Sequence, residues 1–211
     1  MSGEGRFSES DLAPSADERR AERRALVERI GAALASVAAG ISAGGLLALG
    51  VCAAPFVFRL TPAPFSGDAM GSAFARFDSI AIGCAVVVLG GEVARTWAAG
   101  RRGRTTAARV RRIFGILLAM SASYIGLALT PPINEMHRAG VRRGHGAEGA
   151  VLETIHARAE LVGKAEVFFG LSLVALHVFT LGARRPDDDD EDALAPLPPG
   201  PFGAPSSADD A

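Results

Sequence analysis

Apolar residues in this chain are gathered into four long runs separated by short polar stretches. The first covers about 30–58 and contains GAALASVAAGISAGGLLALGVCAAPFVF. The second, about 77–98, contains IAIGCAVVVLGG. The third, about 113–131, contains IFGILLAMSASYIGLALT, and the fourth, about 161–182, contains VFFGLSLVALHVFTLG. A helix needs ~20 mostly apolar residues to cross a hydrocarbon layer about 30 Å thick at about 1.5 Å per residue. All four runs reach that length, the third narrowly. No long alternation of period two appears, which argues against strands. The pattern predicts an all-α fold, a four-span transmembrane helical bundle. Burying the same runs inside a water-soluble protein would demand a core larger than the remaining polar residues can cover.

Composition sharpens this picture through its distribution. Hydrophobic residues make up 49% of 211, close to the soluble average, so the clumping carries the signal. The formal net charge of −1 conceals a split. Eight acids (Asp187, Asp188, Asp189, Asp190, Glu191, Asp192, Asp209, Asp210) follow position 186 with no base among them; the rest holds 22 bases against 15 acids, a net of +7. Lys164 is the single lysine, so that positive charge is nearly all arginine. With two cysteines there is no disulfide framework and no four-cysteine zinc module.

Arginine placement predicts orientation. Arg19, Arg20, Arg23, Arg24 and Arg29 precede the first span, and Arg101, Arg102, Arg104, Arg109, Arg111 and Arg112 separate the second from the third. The positive-inside rule keeps both clusters, and hence both termini, cytoplasmic. Arg138, Arg142, Arg143 and Arg158 on the outer loop oppose this, two clusters against one. The N-terminal segment 1–29 is expected to become helical near 16, where Ser15 and Glu18 form a capping-box pattern after Pro14. It reads as the flank of a retained signal-anchor, not a cleavable signal peptide. The acidic, Pro-rich stretch 183–211 is expected to stay disordered. Arginine over lysine and an Ala/Gly bias point to a bacterial inner membrane.

Helix packing can be read from small residues. Ala32, Ser36, Gly40, Gly44, Ala48 and Cys52 recur every four positions, a ridge on which another helix can approach closely. The second span is its expected partner. With Arg59 and Phe77 at the outer rim, facing positions have numbers adding to about 136. That pairing puts Cys52 level with Cys84 and Gly44 level with Glu92.

Four stretches carry a family resemblance: GGLLALGVCAAPFVFR, FARFDSIAIG, SYIGLALTPPINEMHRAG and IHARAELVGKAEVFFGLSLVAL. In this order they resemble the membrane family known as domain of unknown function 4149, a group that includes transmembrane-protein-205-like proteins. The likeness spans roughly 30–182. It implies a four-span helical membrane protein and draws attention to Arg59, Arg76, Asp78, Pro132, Asn134, Arg138 and His156. The chain departs from the family pattern at Ala157–Arg158–Ala159–Glu160. The family brings no activity that can be carried over.

The topology gathers Arg59, Arg76, Asp78, Asn134, Arg138 and His156 at the outer rim. Such an extracytoplasmic polar cap on a non-catalytic bundle either binds a protein partner, an anion or a lipid headgroup, the last two of which guanidinium groups hold bidentately, or fixes the hairpin through an Arg59–Asp78 pair. Glu92 is a charge inside the second span, where charges are costly and often functional. It either handles a proton or cation, or pairs with Arg95 three residues on. Residues 146–160 suggest an amphipathic helix with Val151, Leu152, Ile155, Ala159 and Val162 on one face and Glu153, His156, Glu160 and Lys164 on another. His177, inside the fourth span, is expected to bond a carbonyl or the interface, and Tyr124 to bond across helices. There is no Walker loop, dinucleotide fingerprint, HExxH or GxSxG, so no enzyme, cofactor or metal site is expected. The arginines flank spans and fit membrane lipids better than nucleic acid. Four thin helices enclose little space, so any conduction path would need a homo-oligomer.

Overall fold

The computed structural model describes residues 15–62, 65–100 and 105–182. The segments expected to be disordered, together with Arg101, Arg102 and Arg104, lie outside the described residues. Among the described residues six α-helices follow in order: α1 (Ala16–Leu47), α2 (Ala54–Leu60), α3 (Phe65–Ala99), α4 (Thr106–Tyr124), α5 (Thr130–Arg138) and α6 (Gly146–Gly182). They make four rods, Ala16–Leu60, Phe65–Ala99, Thr106–Arg138 and Gly146–Thr180, each long and apolar enough to cross a membrane. The chain is an all-α, four-span, multi-pass membrane protein. Residues from Val178 onward belong to a second compact unit, whose described part is the end of α6.

Local chemistry accounts for the helix ends. Ser15 Oγ accepts from the Glu18 amide at 3.2 Å while Glu18 Oε2 accepts from the Ser15 amide at 2.5 Å, a complete capping box. Thr105 caps α4 through the Ala108 amide. Gly100, at φ +54°, adopts the left-handed conformation just after α3.

Two rods contain proline and share one device. A π-helical stretch, Ala48–Ala53, precedes Pro55, and another, Ile125–Leu129, precedes Pro131 and Pro132. Proline lacks an N–H and crowds the carbonyl four residues back. The wider turn relieves that clash: Ala54 N–H bonds Leu49 O, and Thr130 N–H bonds Ile125 O, both across five residues. The third rod therefore continues past the expected end at Pro131 to Arg138.

Helix α3 is central, packing against α1, α4 and α5. The core is built from small side chains: Ala32, Ala35, Ala38, Ala39 and Ala43 of α1 are buried, as are Ala81, Ala85 and Val88 of α3. Many large apolar residues point the other way, although Leu118, Leu152 and Leu173 are fully buried. Val37 is 61% exposed and Val86 64%, the inversion expected when lipid is the solvent.

The expected ridge on α1 is corrected. Ala32 is buried and Ser36 half-buried, but Gly40, Gly44, Ala48 and Cys52 are exposed. A strict four-residue spacing precesses about 40° per step around a helix of 3.6 residues per turn, so the ridge rotates out to the lipid. The buried stripe instead follows Gly31, Ala35, Ala38 and Ser42.

The expected hairpin register is also corrected. A Cβ placed on Gly31 would meet Gly91 O at 3.0 Å, and one on Gly45 would meet the Phe77 ring. Facing numbers thus add to 122 (31 with 91, 45 with 77), not 136. The stretch 59–76, read as a loop, is mostly helix; the chain turns between Leu60 and Phe65. Cys84 packs with Ala38 and Ala39, whereas Cys52 is exposed, so the two cysteines are not neighbours. Glu92 lies level with the start of the first apolar run, not with Gly44.

Candidate functional site

Among the described residues, buried polar groups meet across the bundle at three places. One gathers α3, α4 and α6. Arg111 Nε donates to Glu92 Oε1 at 2.6 Å, Arg95 Nη1 lies 3.6 Å from the same oxygen, and Arg95 Nη1 donates to His177 Nδ1 at 2.5 Å. All four residues are buried. Among the described residues, Glu92 Oε2 has no hydrogen-bond partner. The expected Glu92–Arg95 pair is thus the weaker of two contacts. The main cation is Arg111, from the next helix. His177 accepts from the Arg95 guanidinium, a partner on α3 that the sequence reading did not name.

The other two contacts pair a carboxyl with a hydroxyl on a neighbouring helix. Ser42 Oγ donates to Glu166 Oε1 at 2.8 Å between α1 and α6. Thr130 Oγ1 donates to Asp78 Oδ2 at 2.6 Å between α5 and α3. Thr130 closes the π-helical turn, so the widened backbone also sets this hydroxyl. Asp78 is therefore buried in the bundle, not paired with Arg59 at the rim. No Arg59–Asp78 ion pair forms among the described residues.

At the N-terminal end of α3 a cleft of about 410 Å³ opens against α5. Arg76, Asp68 and Ser72 line one wall and Asn134, His137 and Arg138 the other, over Gly67 and Ala75. Close approach favours glycine on this wall: a Cβ on Gly71 would meet Asn134 Oδ1 at 2.5 Å and displace that amide. Three of the six expected rim residues, Arg76, Asn134 and Arg138, share this cleft. His156 stands next to it, its Nε2 3.2 Å from His137 Nε2. Asp78 and Arg59 are not among its lining residues, and Arg59 is exposed on α2.

The connection before α6 is braced onto it. Arg143 grips Glu153 through two hydrogen bonds, Nε to Oε2 and Nη2 to Oε1 at 2.8 Å, and that carboxylate raises the Arg143 pKa above its ordinary value. Lys164 pairs with Glu160. The amphipathic reading of 146–160 is corrected at Val151, which is exposed, while Leu152 is buried. Tyr124, expected to bond across helices, is 43% exposed.

Arg111, Ser42, Glu166, Thr130 and His137 were not singled out by sequence, yet some of them carried a signal. Glu166, Gly170, Leu173 and His177 are spaced four, three and four apart and are all buried, one helical face with a carboxyl on it. Arg111, Gly115, Leu118 and Ala122 repeat that spacing on α4, which separates buried Arg111 from exposed Arg109 and half-buried Arg112.

A family model described as domain of unknown function (DUF4149) matches residues 37–142. No curated protein and no solved structure matches the chain.

Proposed function

The chain belongs to the DUF4149 family, of unknown function, and on that premise we propose that it is a non-catalytic membrane bundle whose outer cleft binds an anionic lipid headgroup. One observation carries the reading: Arg76 on α3 and Arg138 on α5 face a single cleft together with the Asn134 amide and His137. Two guanidinium groups from different helices can hold a phosphate from two sides, and an amide adds a neutral donor. The cleft also sits at a suitable depth. Nineteen helical steps separate Arg76 from Arg95, about 28 Å, close to the thickness of a hydrocarbon layer. The cleft then lies at one headgroup level and the Glu92 cluster near the other. The arginines flanking the first three spans favour placing the cleft outside and both termini in the cytoplasm, in a bacterial inner membrane.

Glu92 as a carrier of protons or cations is the rival reading. Arg111 argues against it: a carboxylate held at 2.6 Å by a guanidinium is already neutralised.

Nanodiscs of phosphatidylcholine doped with phosphatidylglycerol, followed by native mass spectrometry of the released protein, test the proposal. The wild type is expected to retain phosphatidylglycerol preferentially. Arg76→Gln with Arg138→Gln should abolish the preference, and Arg59→Gln should leave it intact. Equal retention by the wild type and the double variant would refute the reading.

A further inference from the structure

We propose that His137 and His156 form a two-histidine site for a divalent transition-metal ion at the rim of the outer cleft. Their Nε2 atoms lie 3.2 Å apart, with ring planes at 60° and centroids 5.5 Å apart. Two nitrogens bound at 2.0–2.1 Å to one tetrahedral ion are separated by about 3.3 Å. The two rings therefore already present their metal-binding edges at the spacing a shared ion requires.

Both rings stand on helices with contacts that fix their approach. His137 is carried by α5, whose entry is set by the π-helical turn and by Pro131 and Pro132. Its ring rests over Gly67 of α3, where a Cβ would stand 3.4 Å from Nδ1. His156 is carried by α6, onto which the Arg143–Glu153 pair clamps the preceding connection. Ligands held on rigid elements lose little freedom when an ion binds.

Charge around the pair is mixed. Arg138 lines the same cleft as His137, and so does Asp68. Among the described residues no group of three or more His, Cys, Asp and Glu is placed around one ion, so the remaining coordination positions fall to water or to a bound anion. A pair of imidazoles selects Cu²⁺, Ni²⁺ or Zn²⁺ over Mg²⁺ or Ca²⁺, which prefer oxygen. The site shares His137 with the proposed headgroup cleft but uses neither of its guanidinium groups, Arg76 and Arg138, so the two proposals can be tested apart.

The test uses the full chain in nanodiscs of phosphatidylcholine alone, titrated with Cu²⁺ and followed by continuous-wave and pulsed paramagnetic resonance. The expected result is one Cu²⁺ per chain coupled to two imidazole nitrogens and displaced by Zn²⁺. His137→Gln and His156→Gln should each weaken binding on the order of tenfold or more, and His145→Gln should not. The Arg76→Gln, Arg138→Gln protein should still bind copper, which separates failure of this site from failure of the headgroup cleft. A wild-type spectrum lacking a two-imidazole signature would overturn the proposal whether or not the variants fold. So would unchanged affinity in folded His137→Gln and His156→Gln.

Discussion

Arg111 on α4 donates to Glu92 on α3 at 2.6 Å, with both side chains more than nine-tenths buried. A second guanidinium, Arg95, stands 3.6 Å from the same carboxylate oxygen. Glu92 thus separates two like charges inside the bundle. Removing one partner of a buried pair typically costs about 3–5 kcal/mol, while replacing both with apolar groups costs far less. Glu92→Leu is therefore expected to destabilise the protein by about 3–5 kcal/mol, and adding Arg111→Leu should recover part of that loss. Unfolding in mixed detergent micelles measures both. A neutral Glu92→Leu would show that the cluster does not hold α3 to α4.

The α1–α3 seam yields a contrast between glycines. A Cβ on Gly91 would approach Gly31 O to 2.7 Å, whereas one on Gly40 meets nothing within 4 Å. Gly91→Val is expected to force the backbones apart and cost about 1–3 kcal/mol. Gly40→Val faces lipid and should cost far less. Thermal unfolding of the two proteins in one detergent compares them, and equal losses would contradict the observed register.

These two cases show where sequence was legible. Span number, helical class and the Ser15–Glu18 cap follow from run length and local hydrogen bonding, which need no knowledge of neighbours. Register does not. It depends on where the hairpin turns, and Phe65–Arg76, polar enough to read as a loop, is helix that packs against α2 and α5. Glu92 was visible as a charge in an apolar run, but its principal partner lay among six arginines that look alike until the buried face of α4 is known. The outer cleft was legible in composition, and three of its residues were named. Asp78 was misplaced because Thr130, its partner, is aimed by a π-helical turn that no local pattern announces.

The corrected register predicts the behaviour of the cysteines. Position 84 lies level with 38 on α1, fourteen residues from Cys52, or about 21 Å along the helix. A disulfide needs Cα atoms within about 7 Å. Oxidants should therefore produce no intramolecular crosslink. Maleimide in detergent should label Cys52 in the folded protein and Cys84 only after denaturation, since Cys52 is exposed and Cys84 buried. Peptide mapping of labelled protein reads the result, and rapid labelling of both thiols would count against the packing of Cys84 on Ala38 and Ala39.

Two serines on α1 separate a hydroxyl that joins helices from one that does not. Ser42 donates across to Glu166 on α6 at 2.8 Å. Ser36 donates to Ala32 O of its own helix, also at 2.8 Å. Interhelical hydrogen bonds in membranes average about 0.6 kcal/mol and reach about 1.7, because the separated helices also find partners. Ser42→Ala removes the donor but leaves the Glu166 carboxyl buried among apolar neighbours, so its cost should fall at or above the upper end of that range. Ser36→Ala gives up a bond that competes with the helix itself and should lie near zero. Glu166→Gln keeps an acceptor opposite Ser42 and is expected to retain most of the stability that Ser42→Ala loses. Unfolding free energies of the three variants in one detergent would decide the matter, and a Ser42→Ala protein as stable as Ser36→Ala would show that the Ser42–Glu166 bond does not tie α1 to α6.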